Sequence, residues 1–520
     1  MFLSDLKIEY PELPVVEHRE EFFELLEKHQ VIIVKADTGS GKSTQLPKFL
    51  LEWFCRAVSP FKIGVTEPRR LAAISIADRL REELKDENLV STKIRFWEQG
   101  TNEAPIKVMT DGILLQEFRK DRLFRQYNAI MIDEAHERSL NIDILLGIFK
   151  TVLARRPDFK LIVASATLDA KLFEEFYDNS CVMEAEGRTY PVDVEYYFRE
   201  ETRDERRETC VILSGMPTGM KSKDPGRDLN ISGKGDSGLI EEARDAILDL
   251  ETRHRDHLLC FLPTERDIQD LMGELAHELD AATFDVLPLY GRMSPDEQRR
   301  IFKHTGKTRV VLATNIAETS LTIPGIAYVV DTGMARISRY NAQARIQGLP
   351  VEEISKASAR QRTGRAGRVK PGVCIRLYSP ENFEARDEFT EPEIRRSNLA
   401  NVVLQLRSLG LELENFPFLQ SPPHSAFRGA YKTLFELGAL TADNSNGHVT
   451  KLGREMTRLP MDVSLSAVLL RARESGVLQP ALIVCSALSI QDPRVVPNDE
   501  PERTRIRQLH RKFCGHNPLV

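Results

Sequence analysis

The stretch that decides the fold is Val31-Ile-Ile-Val-Lys-Ala-Asp-Thr-Gly-Ser-Gly-Lys-Ser43. It begins with an apolar, β-branched run typical of a buried strand, and a helical pattern follows Ser43. The glycines between them let backbone N–H groups surround phosphate oxygens, and the helix N-terminus adds a favourable dipole. Lys42 would then reach the β- and γ-phosphates and Ser43 would ligate Mg²⁺. The alternative is a glycine-rich turn that binds nothing.

Short runs rich in Val and Ile alternate with amphipathic stretches over the first two thirds of the chain. Their spacing leaves room for the long crossovers that parallel strands need. Besides Val31–Lys35, the runs are Ile63–Thr66, Ala129–Ile132, Leu161–Ala164, Leu258–Leu262, Val286–Leu289, Val310–Ala313 and Ala327–Val330. The pattern predicts an α/β protein in which parallel sheets carry helices on both faces.

Two carboxylates follow one of these runs in Ala129-Ile-Met-Ile-Asp-Glu-Ala-His136. Ligands of parallel sheets bind at the carboxyl ends of the strands, where Asp133 and Glu134 would lie. We assign both to the metal alongside Ser43, with Glu134 also polarising the attacking water. Phosphoryl transfer needs mainly positioning and charge neutralisation, so this small set suffices. The alternative is a surface acidic pair.

Three arginines are spaced three residues apart in Gln361-Arg-Thr-Gly-Arg-Ala-Gly-Arg368. Residues with this spacing share one face of a helix, so Arg362, Arg365 and Arg368 are expected to form a cationic stripe. Supplied across a cleft, such arginines would complete the charge of a phosphoryl-transfer transition state only when the cleft closes. The alternative is a solvated basic helix.

The character of the sequence changes after Tyr378. Ile394–Leu409 and Ser425–Leu437 are predicted amphipathic helices, and the segment GHVTKLGREM after them is predicted to be strand and turn. This combination indicates a winged-helix module, followed by more helices. We therefore predict two α/β units at 1–180 and 181–378, a winged helix at 379–459 and a helical part at 460–520. The Gly-, Pro- and Ser-rich segment 216–238 is a predicted loop.

The composition limits the classes of protein to consider. Charged residues make up 29% of the chain and hydrophobic residues 41%, with a net charge of −6, as in globular proteins. Any nucleic-acid surface must therefore be a local basic patch, and residues 336–376 hold ten Lys or Arg against two Glu. Seven scattered cysteines and no CxxC pair favour a reducing interior. With neither a signal-peptide pattern nor a run of about 20 apolar residues, we expect a cytoplasmic protein without membrane contact.

Eight short motifs occur in the order found in DEAH-box helicases of superfamily 2, which the chain resembles from about Pro14 to about Arg511. They are Ala36-Asp-Thr-Gly-Ser-Gly-Lys-Ser43, Thr66-Glu-Pro-Arg-Arg-Leu-Ala-Ala73, Thr110-Asp-Gly112, Asp133-Glu-Ala-His136, Ser165-Ala-Thr167, Phe261-Leu-Pro-Thr264, Ala313-Thr-Asn-Ile-Ala-Glu-Thr-Ser-Leu-Thr-Ile323 and Gln361-Arg-Thr-Gly-Arg-Ala-Gly-Arg368. Two further stretches, 333–340 and 488–494, are similar to the bacterial HrpA type. The resemblance implies two tandem RecA-like domains, then a winged helix and the start of a helical ratchet-like domain.

The resemblance also implies roles at the nucleotide. ATP with Mg²⁺ would lie on the phosphate loop, and Gln361 would place the water while Arg365 and Arg368 act as arginine fingers. His136, Ser165 and Thr167 would couple the nucleotide to domain closure. Arg79 and Phe302 would sandwich the nucleotide base. Stacking reads no base edge, so other NTPs are expected to be accepted. The residues implied in nucleotide binding are Thr38, Gly39, Ser40, Gly41, Lys42, Ser43, Thr44, Arg79 and Phe302.

For the nucleic acid, the resemblance implies that Arg69, Thr110, Thr314 and Asn315 contact the backbone of single-stranded RNA. Such contacts position a strand without reading its sequence. The segment 339–350 is predicted to be a β-hairpin, which in the family acts as a wedge at the duplex junction.

The resulting hypothesis is an ATP-dependent RNA helicase that translocates 3′ to 5′ and acts as a monomer, with room for an unidentified protein activator. One alternative is a nucleotide-dependent RNA-binding or remodelling fragment without efficient unwinding. The other is a DNA helicase.

Overall fold

The structure is a computed structural model of the 520-residue chain. It describes residues 8–37, 39–57, 60–167, 169–185, 187, 190–200, 209–214, 236–253, 255–303, 305–318, 323–341, 346–368, 370–459, 461–490 and 500–514.

The first sheet has eight strands in the order β4-β3-β5-β2-β6-β7-β1-β8. All neighbours are parallel except β3 and β4. The central strands are buried on both faces, which explains their continuous apolar sequences. The strands are β1 (Val31–Ala36), β2 (Ile63–Glu67), β3 (Val90–Ile94), β4 (Trp97–Gln99), β5 (Ile106–Thr110), β6 (Ala129–Ile132), β7 (Lys160–Ser165) and β8 (Ser180–Ala185).

Helices connect these strands and cover the sheet. Phe22, Phe49 and Leu80, from three different helices, share one buried cluster with strand residues such as Ile32 and Val65. The helices are α1 (Pro14–Glu17), α2 (Arg19–Lys28), α3 (Lys42–Ala57), α4 (Arg70–Leu84), α5 (Asp111–Lys120), α6 (Leu140–Leu153) and α7 (Ala170–Phe176).

The second sheet has seven strands in the order β10-β9-β19-β14-β11-β13-β12, and only β9 and β10 are antiparallel. Two small antiparallel pairs, β15 with β18 and β16 with β17, lie outside it. The strands are β9 (Val192–Glu200), β10 (Thr209–Ser214), β11 (His257–Phe261), β12 (Phe284–Leu289), β13 (Thr308–Ala313), β14 (Ile326–Asp331), β15 (Met334–Arg336), β16 (Arg339–Asn341), β17 (Ile346–Gly348), β18 (Val351–Glu353) and β19 (Gly372–Arg376). Its helices are α8 (Asp236–Arg253), α9 (Glu265–Glu278), α10 (Pro295–Gln298), α11 (Lys356–Thr363) and α12 (Pro380–Ala385).

Each of the eight apolar runs predicted to form parallel sheets is a strand of one of these two sheets. The predicted limit between residues 180 and 181, however, separates β8 from the sheet to which it belongs. Strand β8 pairs with β1 in parallel from Ser180 to Ala185, so the chain passes from the first sheet to the second between Ala185 and Val192. The pairing of β16 with β17 fits the predicted hairpin, whose turn residues 342–345 lie outside the described residues. The predicted loop 216–238 is also outside them up to residue 235, and α8 begins at Asp236.

The part after residue 390 is helical, and residues 400–411 and 428–520 form a compact unit of their own. An antiparallel bridge between Leu440 and Val449 supplies the small strand pair of a winged helix. The helices are α13 (Glu393–Arg396), α14 (Ala400–Ser408), α15 (His424–Glu436), α16 (Lys451–Met456), α17 (Val463–Glu474), α18 (Leu478–Ser489) and α19 (Glu500–Cys514).

Two predicted elements of this part are wrong in detail. The predicted helix Ile394–Leu409 is broken into α13 and α14, because Ser397 adopts an extended backbone and Ser and Asn favour local breaks over helix interiors. The predicted strand and turn includes helix α16, whose first turn is capped by the side chain of Thr450. Among the residues that the structure describes, no helix is both long enough and apolar enough to cross a membrane.

Candidate nucleotide and nucleic-acid site

The phosphate loop lies between the end of β1 and the start of α3 at Lys42. Gly39 and Gly41 have φ of 94° and 93°, a region that L side chains rarely adopt, so glycine is required at both positions. Thr44 and Gln45 donate their N–H groups to the carbonyl of Gly41 as the helix begins. The loop thus leads into a helix N-terminus, which favours anions. Predicted residue Thr38 lies outside the described residues.

Lys42 and Glu134 form a buried ion pair, with Nζ 2.9 Å from Oε1. Lys42 is 4% exposed and Glu134 7% exposed. Burial opposes both charges, but the carboxylates of Glu134 and Asp133 raise the pKa of Lys42, and Lys42 together with His136 holds the pKa of Glu134 well below its usual range. Glu134 therefore stays ionised. Its φ of 49° is a strained conformation for a residue with a side chain, as often found at functional sites.

Glu67 is a third buried carboxylate beside Asp133 and Glu134, and no role for it was predicted from the sequence. It ends β2, the neighbour of β6, and is 2% exposed. Burial and the charge of Asp133 raise the pKa of Glu67 well above its ordinary value. Glu67 lies beside Asp133 because β2 and β6 are neighbours in the sheet. The local sequence does not show which strands become neighbours, so it does not predict this contact.

Oxygen ligands suited to Mg²⁺ are present beside Lys42. Asp133 Oδ2 and Glu67 Oε1 are buried and accept no hydrogen bond within the described part of the chain. Burial raises the pKa of Asp133, and the hydroxyl of Ser43, which lies beside it, opposes that rise. No group of three or more His, Cys, Asp or Glu among the described residues is arranged to hold a metal alone. The carboxylates of Asp133 and Glu67 and the hydroxyl of Ser43 suit Mg²⁺, which is commonly bound through one or two carboxylates together with substrate phosphates.

A hydrogen-bonded network joins the two sheets through Gln361. Its Nε2 donates to Nε2 of His136 at 2.8 Å and to Oγ1 of Thr167 at 3.0 Å. With Nε2 of His136 accepting, the ring proton lies on Nδ1, which is 3.1 Å from Oγ of Ser165 and 3.3 Å from Oε2 of Glu134. The coupling residues named from the sequence are thus brought together next to the Lys42–Glu134 pair.

Arg365 and Arg368 lie near Glu134, in the cleft between the two α/β units. Arg365 is 3% exposed and donates to the carbonyl of Glu318. Burial and the charge of Arg368 lower the pKa of Arg365, and burial lowers the pKa of Arg368 to about 10, although Glu134 attracts both guanidinium groups. Two guanidinium groups held close together in a buried cleft favour a bound anion with several negative charges.

Arg362 does not share a face with these two arginines, so the predicted cationic stripe is wrong. Helix α11 ends at Thr363, before Arg365 and Arg368. Arg362 is 1% exposed, with ion pairs to Asp331 at 2.8 Å and Glu318 at 3.0 Å. It supports the second sheet from inside and does not face the cleft.

Replacing Arg362 with methionine is expected to destabilise the second α/β unit by about 3–5 kcal/mol, because Asp331 would be left buried without its cationic partner. The measurement is the denaturant midpoint of the transition of that unit. The matched control is Arg360→Met on the same helix, where an exposed pair with Glu388 is lost and a change of about 0–1 kcal/mol is expected. Equal shifts for both variants would contradict the assignment.

Five cations of the predicted basic patch pair with carboxylates within the described residues, so the patch is less positive than its count of Lys and Arg indicates. The pairs are Arg339–Glu352, Arg339–Glu391, Lys356–Glu384, Arg360–Glu388, Arg362–Asp331 and Lys370–Asp256. Most of the partner carboxylates lie outside residues 336–376, so a count of charges within that segment does not include them.

The predicted nucleic-acid residues occupy strand ends and turns. Thr110 ends β5 and precedes α5, while Thr314 and Asn315 follow β13. Arg69 pairs with Glu137 at 3.1 Å and donates to the carbonyl of Ile316 at 3.1 Å, so it links the first α/β unit to the turn after β13. Arg69 and Asn315 line a cavity of about 1090 Å³ that also reaches His136 and Gln361.

The two residues proposed to sandwich the base are not brought together directly. Arg79 is exposed on α4 and pairs with Glu83 at 2.8 Å. Phe302 ends the turn 299–302 and is 37% exposed. No hydrogen bond, ion pair or ring contact joins these two side chains within the described ranges.

Asp111, beside the predicted RNA residue Thr110, is 3% exposed, and burial together with Glu137 raises its pKa to about 7 from an ordinary value of 3.8. The folded carboxyl keeps its proton through a window in which the unfolded one has lost it, so stability falls as the pH rises from about 4 to about 7. Asp111→Asn lacks this dependence. We expect its free energy of unfolding to rise relative to wild type by up to about 1.4 kcal/mol per pH unit in that window. A pH-independent difference in denaturant midpoints would contradict the shift.

Two tandem parallel sheets with a phosphate loop, paired carboxylates and arginines from the second unit define a P-loop NTPase of the two-RecA-domain class. Family profiles agree with this class over most of the chain. They match a DEAD/DEAH box helicase at 17–176, a helicase conserved C-terminal domain at 240–370, and the winged-helix and ratchet-like helicase associated domains (HA2) at 430–461 and 462–518. The chain belongs to the DEAH-box helicases. These matches confirm the predicted fold class.

Relatives place the chain beside the HrpA type. It is 44% identical over 513 residues to the ATP-dependent RNA helicase HrpA of Escherichia coli (strain K12) and 44% identical over 516 residues to the HrpA homolog of Haemophilus influenzae. Each alignment covers 98% of this chain and 37% of the relative, so the chain spans little more than a third of their length. Crystal structures described as Escherichia coli HrpB, a DEAH/RHA helicase or DExH-box NTPase, superimpose with TM-scores of 0.77 and 0.76 at 29% identity, covering 97% and 98% of this chain and 61% and 60% of theirs.

Proposed function

We propose that this chain is an ATP-dependent RNA helicase motor that hydrolyses NTP between its two parallel sheets while moving 3′ to 5′ on single-stranded RNA. The observation that carries the proposal is the continuous network from Lys42 to Gln361, because it links the phosphate loop to the second α/β unit. A nucleotide bound at one end of such a network can change how the two units contact each other.

In the structure, the carboxylate of Glu134 balances the charge of Lys42. In the proposed reaction, the phosphates of the nucleotide replace Glu134 as the anionic partner of Lys42. Glu134 is then free to orient and deprotonate the attacking water, and Gln361 helps to place that water. Mg²⁺, held by Ser43 and Asp133 with the phosphates, would neutralise charge on the nucleotide. Arg365 and Arg368 balance the negative charge of the transition state when the cleft is closed.

Arg69 offers a route by which RNA would act on this cleft. Its guanidinium is paired with Glu137, the residue that follows His136. A phosphodiester bound at Arg69 would compete with Glu137 for that charge, because both are anions. Release of Glu137 would loosen the turn 135–137 that carries His136. RNA binding would thereby alter the network that Gln361 closes.

Replacing Gln361 with alanine is expected to reduce RNA-stimulated ATP hydrolysis about 10- to 100-fold, a modest value for a group that places a water. The Kd for Mg·ADP should change little, because Gln361 lies on the second unit and the phosphate loop on the first. Steady-state hydrolysis with single-stranded RNA measures the first quantity and calorimetry the second. The surface variant Gln126→Ala, which loses an exposed hydrogen bond to Glu117, serves as the control. A Gln361 variant with full RNA stimulation would rule out the coupling.

The decisive experiment is steady-state ATP hydrolysis by the 520-residue chain alone, with single-stranded RNA and with single-stranded DNA of matched sequence. Stimulation by RNA but not DNA supports the proposal, since proteins distinguish the two through the 2′-hydroxyl. Equal stimulation by DNA would favour a DNA helicase. A strand-displacement assay follows, and RNA-stimulated hydrolysis without displacement would mean a remodelling fragment.

The proposal extends to the setting in which the chain works. We propose a monomer in the cytoplasm that accepts NTPs other than ATP and is open to a protein activator. The five cysteines that the structure describes in full are free thiols, which suits a reducing compartment. Sedimentation of the chain with and without RNA tests the monomer.

A further inference from the structure

The segment before the matched helicase region contacts the phosphate loop directly. The match begins at residue 17, whereas residues 9–16 precede it. The N–H of Val15 donates to the carbonyl of Ser40 at 3.2 Å. Leu13 lies so close to Gly41 that a Cβ built on this glycine would be 2.7 Å from Leu13 Cδ1. The two contacts fall on consecutive residues of the loop.

The hydrogen bond to Ser40 fixes the direction of one peptide group. In a trans peptide the carbonyl and the following N–H point in opposite directions. With the Ser40 carbonyl held towards Val15, the N–H of Gly41 must point away from the N-terminal segment. Phosphate loops bind anions through such N–H groups, and their affinity depends on how well these are oriented beforehand.

The same segment is fastened to the helix that the loop begins. Lys48 is fully buried in α3, and its Nζ donates to the carbonyl of Glu9 at 2.6 Å. The hydroxyl of Tyr10 donates to Glu52 at 2.6 Å, also in α3. Val15 is 0% exposed and packs in the cluster that contains Ala36 and Leu46, which flank the loop on both sides. The segment is therefore held at both ends and spans the loop.

We propose that residues 9–16 act as a brace that holds the Ser40–Gly41 peptide in the orientation that binds phosphate, and so set the affinity for nucleotide. The inference rests on the proposed nucleotide site, and it assigns Leu13 and Val15 as positioning residues. They touch the loop and leave the chemistry to Glu134 and the arginines, so the brace affects binding and not the rate at saturation.

The test compares wild type with Leu13→Ala and Val15→Pro in the full 520-residue chain. Val15→Pro removes the donor N–H, and Leu13→Ala removes the contact with Gly41. The Kd for Mg·ADP is measured by calorimetry, together with KM and kcat for ATP. Loss of one hydrogen bond should raise Kd and KM about 3- to 10-fold while kcat stays within about twofold. Leu13→Met, which conserves volume, should restore the wild-type Kd.

The matched control is Lys85→Met, which breaks an exposed ion pair with Glu9 and leaves the loop contacts intact. Unchanged Kd in both brace variants, or a fall in thermal midpoint alone, would overturn the brace. Lys42→Ala separates this result from failure of the proposed function. If Lys42→Ala binds Mg·ADP as tightly as wild type, the nucleotide site itself is wrong. If Lys42→Ala binds Mg·ADP more weakly than wild type while the brace variants bind it normally, only the proposed role of the brace is wrong.

Discussion

Replacing Arg365 with alanine is expected to reduce kcat for ATP hydrolysis about 10³- to 10⁵-fold, the range for loss of an arginine finger. Arg365 is buried in the cleft, where Glu134 attracts it electrostatically and Arg368 repels it. The charge is thus placed where a transferring phosphoryl group would develop its own charge. Single-turnover hydrolysis at saturating ATP measures the effect without contributions from product release.

The same variant should be no less stable than wild type. Burial lowers the pKa of Arg365, which means that the folded protein holds this charge at a cost. Removing the side chain removes that cost, so the thermal midpoint should stay constant or rise while kcat falls. Arg360→Ala, an exposed arginine on the preceding helix, is the control and should change neither quantity. A loss of kcat below about tenfold would show that the guanidinium group does not reach the transition state.

Replacing Glu134 with glutamine is expected to lower kcat about 10²- to 10⁴-fold, because the group that accepts the water proton is lost. Its pKa lies below the usual range, so the carboxylate is ionised throughout the neutral range, and displacement of Lys42 by the nucleotide would make it a stronger base. Binding of Mg·ADP should persist, since the loop and Lys42 remain. The two measurements are single-turnover hydrolysis and calorimetry of nucleotide binding.

The control for Glu134 is another carboxylate of the same sheet. Glu184→Gln removes the exposed pair with Lys35 at the sheet edge and should leave kcat unchanged. Hydrolysis by Glu134→Gln at the wild-type rate would refute its assignment as the base. The Lys42–Glu134 pair also predicts a lower thermal midpoint for Glu134→Gln, opposite to the expectation for Arg365→Ala.

The fold class and the phosphate loop were predictable because their signals are local. A buried parallel strand must be apolar on both faces, and Gly39 and Gly41 mark backbone conformations that other residues avoid. Most residues of the candidate site were also predicted, from their membership of the ordered helicase motifs. His136, Ser165, Thr167 and Gln361 were named from motif membership, and they form one hydrogen-bonded network.

Arg362 shows where a local argument fails. Spacing alone put Arg362, Arg365 and Arg368 on one helical face, yet the helix ends after the first of them. The carboxylates that bury Arg362 come from Glu318 and Asp331, many residues earlier in the chain. The boundary between the two α/β units lies later than the predicted residue 180 for a similar reason. Strand β8 belongs to the first sheet because it pairs with β1, which is distant in sequence.

The sequence by itself determined the parallel α/β architecture and the phosphate loop, because both depend on neighbouring residues and on strand and helix periodicity. The order of its motifs also determined which residues are candidates for catalysis. Only the tertiary structure decided which arginine supports the core and which faces the cleft. It also brought Glu67 beside Asp133 and set Leu13 and Val15 against the loop. The physical reason is that burial and electrostatic partnership are set by which strands and segments become neighbours, and this depends on packing over the whole chain.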